Sequence, residues 1–195
     1  MIYFYSGTPG SGKSLHVAKD IYNRLFKRKK PVIANFDINH NLYNSKRKKG
    51  DFLYLDNSDL TPEYLINYSI DKKFYGVEGS CLVVIDECQI LFNPRSWNDK
   101  YRINWVNFFT QHRKYGYDFI LISQFDRLVD RQIRSLFEYE IKHRKVNNFK
   151  GGELIPFSTF VAVSKWYGVN EKIGQEFFIY KSKYGKMYDT FKNFN

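Results

Sequence analysis

Residues Gly7 to Ser14 read Gly-Thr-Pro-Gly-Ser-Gly-Lys-Ser, a complete phosphate-binding loop set between a short hydrophobic segment, Met1 to Ser6, and a helical pattern. Strand, loop and helix in that order are the context the Walker A pattern requires. The glycines Gly7, Gly10 and Gly12 allow positive φ, so successive amide N–H groups can turn inward around a β-phosphate while the helix that begins near Lys13 adds its dipole. The expected nucleotide-binding set is Gly7, Thr8, Pro9, Gly10, Ser11, Gly12, Lys13, Ser14 and Leu15. Within it Lys13 neutralises the β- and γ-phosphates of ATP and Ser14 ligates Mg²⁺. The alternative, a Gly/Ser-rich turn that matches by chance, must explain all four fixed positions falling between a strand and a helix.

The rest of the chain follows the same grammar. Ala18, Ile21, Tyr22, Leu25 and Phe26 recur at three- and four-residue spacing, giving the helix after the loop one apolar face, and Pro31 to Asn35 reads as a second buried strand. A parallel pair with a right-handed crossover follows. Residues 36 to 60 are polar and irregular apart from a short strand at Phe52 to Leu55. Thr61-Pro62-Glu63 supplies a cap, a first-turn proline and an early acid for a helix running toward Lys72, which Gly76 and Gly79 end. Cys81 to Ile85 is a continuous apolar run, as a central parallel strand covered on both faces should be. A helix is expected over Ile103 to Tyr115, a buried strand at Phe119 to Ile122, a helix around Leu128 to Leu136 and a strand around Tyr139 to His143. These make an α/β doubly wound, mostly parallel sheet of the P-loop NTPase kind. After Asn147 the pattern becomes aromatic and β-branched, with a hairpin turn at Lys150 to Glu153. A single domain is expected, with its core over about residues 1–147 and a β-rich extension over about 148–195.

The 195 residues suffice for one sizeable core. The longest apolar runs fall short of a membrane span, and the first residues lack a basic segment ahead of an apolar one, so signal-peptide export is not expected. Cys81 and Cys88 lack metal-ligand spacing and read as reduced core thiols. The net charge of +11 and a pI near 9.5 suit a phosphate-rich partner or an anionic membrane face. The basic runs Lys27 to Lys30 and Lys46 to Lys49 stand out, although AT-rich codons alone favour Lys, Asn, Ile, Phe and Tyr.

The chemistry falls at strand ends. Asp86 fits the Walker B acid that holds Mg²⁺, and Glu87 directly after it is placed to activate a water for attack on the γ-phosphate, which a pure binding protein does not need. Gln124 ends the next apolar strand and points into the same crevice, where it either senses the γ-phosphate, or holds the lytic water, or simply caps the strand. His112 and Arg113 close a helix, where positive charge suits the dipole. Arg113 and Arg134 are also candidates for donation across a subunit interface to a neighbour's nucleotide.

Together, Gly7 to Ser14, Val83-Val84-Ile85-Asp86-Glu87-Cys88-Gln89, Phe92-Asn93-Pro94-Arg95, His112 to Asp118, the strand ending in Gln124, Ile133-Arg134, Tyr139 and His143-Arg144 resemble the ATPase domain of zonular occludens toxin (Zot) proteins, which are similar to filamentous-phage assembly ATPases. The resemblance spans roughly residues 1 to 145. It implies an additional-strand ATPase of the RecA-like kind, related to DNA-pumping motors. Such a domain would work on the cytoplasmic side of the host inner membrane, driving single-stranded DNA out through a phage assembly and secretion complex. It also implies roles for Lys13, Ser14, Asp86, Glu87 and Gln124 as given above, and a homo-oligomer, with a hexamer as one candidate. Family members usually continue into a membrane-spanning helix and an external domain. Two other readings share the loop. A small nucleoside or metabolite kinase needs water excluded rather than activated, which Asp86-Glu87 opposes. A nucleotide-dependent adaptor needs the loop and Asp86 but neither Glu87 nor Gln124.

Overall fold

Strand β1, Ile2–Ser6, occupies the middle of the sheet because both of its faces are apolar and both can be covered. The computed structural model describes residues 1–44, 48–95, 99–148, 157–169 and 171–187. Helix α1, Lys13–Tyr22, follows the loop and passes into a π-helical turn at Asn23–Lys27. The remaining strands are β2 (Val32–Ala34), β3 (Phe52–Tyr54), β4 (Cys81–Ile85), β5 (Tyr117–Ile122), β6 (Tyr139–Lys145), β7 (Thr159–Trp166) and β8 (Lys172–Ile179). They form one sheet in the order β3-β2-β4-β5-β1-β6-β7-β8. Pairing is parallel from β3 to β6 and antiparallel from β6 to β8.

Two apolar layers sandwich the parallel part. On one face Val17, Ile21 and Leu25 of α1 and its following turn meet Val32, Ala34, Val84 and Ile120. On the other, helix α3 (Pro62–Asp71) and helix α4 (Asp99–Gln111) bring Leu65, Trp105, Phe108 and Phe109 onto Phe4, Val83, Ile85 and Phe119. Each of these large side chains contributes on the order of 1.5–3 kcal/mol through burial. β4 is buried along its whole length, as its unbroken apolar run predicts. The cap expected for α3 is present: Thr61 Oγ1 accepts from Tyr64 N at 3.2 Å, with Pro62 in the first turn.

The structure departs from the sequence reading in three places. The segment read as irregular contains helix α2, His40–Asn44, where Asn39 Oδ1 accepts from Asn41 N and Tyr43 Oη donates to the Gly50 carbonyl. α4 ends at Gln111 rather than Tyr115, because His112 Nδ1 turns back to the Phe109 carbonyl at 2.6 Å and Gly116 adopts φ +79. A Cβ at Gly116 would stand 2.8 Å from two carbonyl oxygens, so this turn requires glycine. The helix expected over Leu128 to Leu136 is broken into a 3₁₀ turn, Asp126–Leu128, and helix α5, Arg131–Arg134. Asp130 causes the break by capping α5, its Oδ1 accepting from Gln132 N at 2.8 Å. The β-rich extension is present as β7 and β8 and continues the main sheet; a short helix α6, Ser182–Gly185, follows. The turn expected at Lys150 to Glu153 lies outside the described residues, as do Lys46 and Arg47.

Candidate nucleotide site

The loop leaves β1 at Gly7, with φ +142, and enters α1 from Gly12, with φ +96. A Cβ on Gly7 would lie 2.6 Å from the His143 carbonyl oxygen and one on Gly12 would lie 2.6 Å from the Phe160 ring, so both are held against other strands at glycine-only separations. Gly12 is the N-cap of α1 without a side-chain cap, and the first turn of α1 carries no acid. The positive helix end and its free N–H groups are thus left for an external anion. Ser11 Oγ is buried with no hydrogen-bond partner, at a cost that a bound oxygen would relieve. Lys13 Nζ donates to the Gly7 carbonyl at 2.6 Å and the Thr8 carbonyl at 3.2 Å. Burial pushes the Lys13 ammonium below its ordinary value, and Asp86 and Glu87 act the other way, so Lys13 stands within the field of both acids. Thr8, Pro9 and Gly10 are exposed at the tip, and Ser14 and Leu15 are half-buried on the first turn of α1.

The strand order explains how the acids reach this loop. β5 is inserted between β1 and β4, so the ends of β4, β5 and β1 carry Asp86-Glu87, Gln124 and Gly7 to Ser14 along one edge. Asn35, just beyond β2 and buried, fixes the end of β4: its Oδ1 accepts from Asp86 N at 2.7 Å and its Nδ2 donates to the Asp86 carbonyl at 2.9 Å. Asp86 Oδ1 accepts from Glu87 N at 2.9 Å. Glu87 takes φ +46, a left-handed conformation that costs a non-glycine residue on the order of 1–2 kcal/mol. Gln89 Nε2 donates to Glu87 Oε2, and Cys88 N donates to the Ile122 carbonyl at 2.9 Å, tying the turn to β5. Gln124 is half-buried and its carbonyl accepts from Gly7 N at 3.4 Å.

Beneath the loop, His143 Nδ1 donates to the Ser6 carbonyl at 3.1 Å and its Nε2 meets His16 Nδ1 at 2.8 Å; these partners assign the tautomer. Burial, and then the neighbouring His16, pushes His143 down to about 3, so it is neutral at physiological pH and holds β1 to α1.

Of the two arginine candidates, Arg113 stands at the opposite, amino edge, paired with Glu138, whose Oε1 also accepts from Ile2 N at 3.0 Å. The structure does not bring Arg113 to this chain's own loop. Arg134 Nη1 lies 3.8 Å from Asp126 Oδ2. An open cleft of about 420 Å³ beside the loop is lined by Gly7, Thr8, Gln124, Phe125, Lys142 and Arg144 among others. Sequence reasoning missed Asn35, Gln89 and Phe160 as supports of the site. Asn35 had a signal: like Asp86 and Gln124, it is the polar residue that closes an apolar strand. Phe160 had none, because its contact with Gly12 comes from pairing distant in sequence.

This combination of Walker A loop, inserted β5 and acids at one carboxyl edge defines a P-loop ATPase fold of the additional-strand type. The zonular occludens toxin (Zot) family model matches residues 1–184, and the chain belongs to that family. The Gene 1 protein of Enterobacteria phage fd is 34% identical over 154 residues, covering 75% of this chain and 42% of the relative. The chain thus spans about two fifths of that relative's length. Among solved structures, the N-terminal domain of zonular occludens toxin from Neisseria meningitidis aligns with a TM-score of 0.57 at 17% identity, covering 96% of this chain and 98% of that one. A genome packaging NTPase from Sulfolobus turreted icosahedral virus 2, in complex with ATP-gammaS, gives 0.51 at 17% identity, covering 92% and 96%. Both support the fold.

Proposed function

We propose that this chain is the ATP-hydrolysing motor domain of a filamentous-phage assembly protein. In this reading it drives single-stranded DNA extrusion at the cytoplasmic face of the host inner membrane, with a phage assembly and secretion complex and further copies of itself as partners. The observation that carries the reading is the insertion of β5 between β1 and β4, which gathers Lys13, Asp86-Glu87 and Gln124 at one sheet edge. Family membership and the relation to phage Gene 1 proteins support the phage context. The N–H groups of the loop and Lys13 would hold the phosphates of ATP, a fit supported by the unpartnered Ser11 hydroxyl and the acid-free start of α1. Ser14 and Asp86 offer the hard oxygen donors that Mg²⁺ prefers, the remaining positions falling to phosphate and water. Glu87 takes the proton of the attacking water and Gln124 orients it. A small nucleoside or metabolite kinase does not need a carboxylate at position 87 held in a costly backbone conformation toward Lys13.

Phosphate release by the wild type, with and without single-stranded DNA, tests this directly against Glu87→Gln. The variant should keep ATP·Mg²⁺ and lose hydrolysis by about two to four orders of magnitude. A wild type that binds ATP·Mg²⁺ yet releases no phosphate, with DNA and at high protein concentration, would return the chain to the adaptor reading.

A further inference from the structure

Resting on the nucleotide reading, we infer that Lys142 and Arg144 are the cations that read the terminal phosphate of a nucleotide in the cleft beside the loop. The two alternate along β6, so they share one face, while His143 between them is turned to the other face and buried. β6 runs parallel to β1 with Lys142 opposite Ser6. Arg144 therefore stands about 7 Å further along the strand direction, level with the start of the loop. Both side chains are exposed and both line the cleft with Gly7, Thr8 and Gln124.

The charges of this cleft are divided unequally. Its acids are already engaged: Glu140 Oε1 accepts from Ser6 Oγ at 2.7 Å, and Asp126 Oδ2 accepts from Tyr167 Oη at 2.9 Å and pairs with Arg134. No ion pair among the described residues engages Lys142 or Arg144. Two like charges held on one strand face repel each other, and an anion between them removes that repulsion. Arginine suits the role because its planar fork can take two phosphoryl oxygens at once, and lysine adds a point charge beside it. These residues also differ from the arginines that sequence suggested, since Arg113 and Arg134 are each already paired with a carboxylate. The phosphoryl group can belong to the nucleotide on this chain's own loop or to that of a second copy seated against the open cleft; the chemistry recognised is the same.

The test compares equilibrium affinities for ADP and for ATPγS, both with Mg²⁺, in the wild type, Arg144→Ala and Lys142→Ala, with circular dichroism confirming that the exposed substitutions leave the fold intact. Both variants should bind ADP within about twofold of wild type, while the preference for ATPγS over ADP falls roughly tenfold or more for Arg144→Ala, the size of one lost charge-assisted contact. Arg144→Lys should recover part of it. Mixing Arg144→Ala with Lys13→Ala assigns the source: recovered turnover places the arginine on a neighbour's nucleotide, and no recovery with a reduced preference places it on its own. An unchanged ATPγS-to-ADP ratio in both variants overturns the inference. Failure of the wild type to bind either nucleotide would instead overturn the nucleotide reading on which it rests.

Discussion

The two edges of the sheet both carry charged groups and use them in opposite ways. Along the amino edge the Met1 ammonium meets Asp118 at 2.9 Å, Arg24 reaches Asp118 at 3.3 Å and the Gly79 carbonyl at 2.7 Å, and Arg113 meets Glu138. Opposite charges are close there: the Met1 ammonium and Arg24 share Asp118, and Arg113 takes Glu138, while the buried Arg24 Nε has no hydrogen-bond partner. Along the carboxyl edge Lys13 is partly stripped of water and held by carbonyls, Ser11 Oγ is buried alone, Glu87 sits at φ +46, and Lys142 and Arg144 face a cleft. One edge closes the fold. The other holds Lys13, Ser11 Oγ and Glu87 in costly arrangements, and these are the groups that the proposed nucleotide site uses.

The strongest way to break this contrast is Lys13→Ala. If Lys13 contacts two phosphates, its loss removes two charge-assisted contacts, about 3 kcal/mol or more, and ATP affinity should fall by about a hundredfold or more in equilibrium binding. Thermal stability should hold or rise slightly, because the folded state already disfavours this ammonium. The sign follows from linkage: the folded value lies below the unfolded one, so the unfolded chain binds more protons between the two and wild-type stability rises with pH across that window. Lys13→Ala should flatten the rise. Undiminished ATP binding by the folded variant would remove the functional meaning of the carboxyl edge.

Glu138→Ala tests the amino edge and should do the reverse. It removes the acceptor of Ile2 N and the partner of Arg113, so denaturant unfolding should show a loss of about 1–3 kcal/mol. ATP affinity should stay within about twofold. A variant of unchanged stability with weakened nucleotide binding would show that the edges are coupled rather than divided.

Much of the carboxyl edge was legible in the chain because its parts are local: glycine, lysine and serine at fixed spacing, then acids directly after an apolar run. Gly7 to Ser14, Asp86-Glu87 and Gln124 all fall where strand ends were read. Of the supports, Asn35 shared the strand-end signal of Asp86, but those that depend on register between distant segments were not legible. Phe160 reaches Gly12 through the antiparallel pairing of β7, and Lys142 is recognisable only once β6 is known to run beside β1. Helix ends failed for a related reason. Asp130 and His112 bind nearby backbone groups and stop helices that their apolar spacing would have continued.

The smallest expected effect isolates strain at Glu87 from its chemistry. Glu87→Gly and Glu87→Ala both remove the carboxylate and its contact with Gln89, so both should lose hydrolysis equally under the proposed mechanism. They differ in backbone freedom, since alanine keeps the cost of φ +46 and glycine does not. Glycine also gains entropy in the unfolded chain, which offsets part of the relief. Glu87→Gly should therefore be more stable than Glu87→Ala by about 0.5–1 kcal/mol in denaturant midpoints. Equal stabilities would mean that the turn after β4 holds no strain, and the carboxyl edge would then differ from the amino edge in its charges alone.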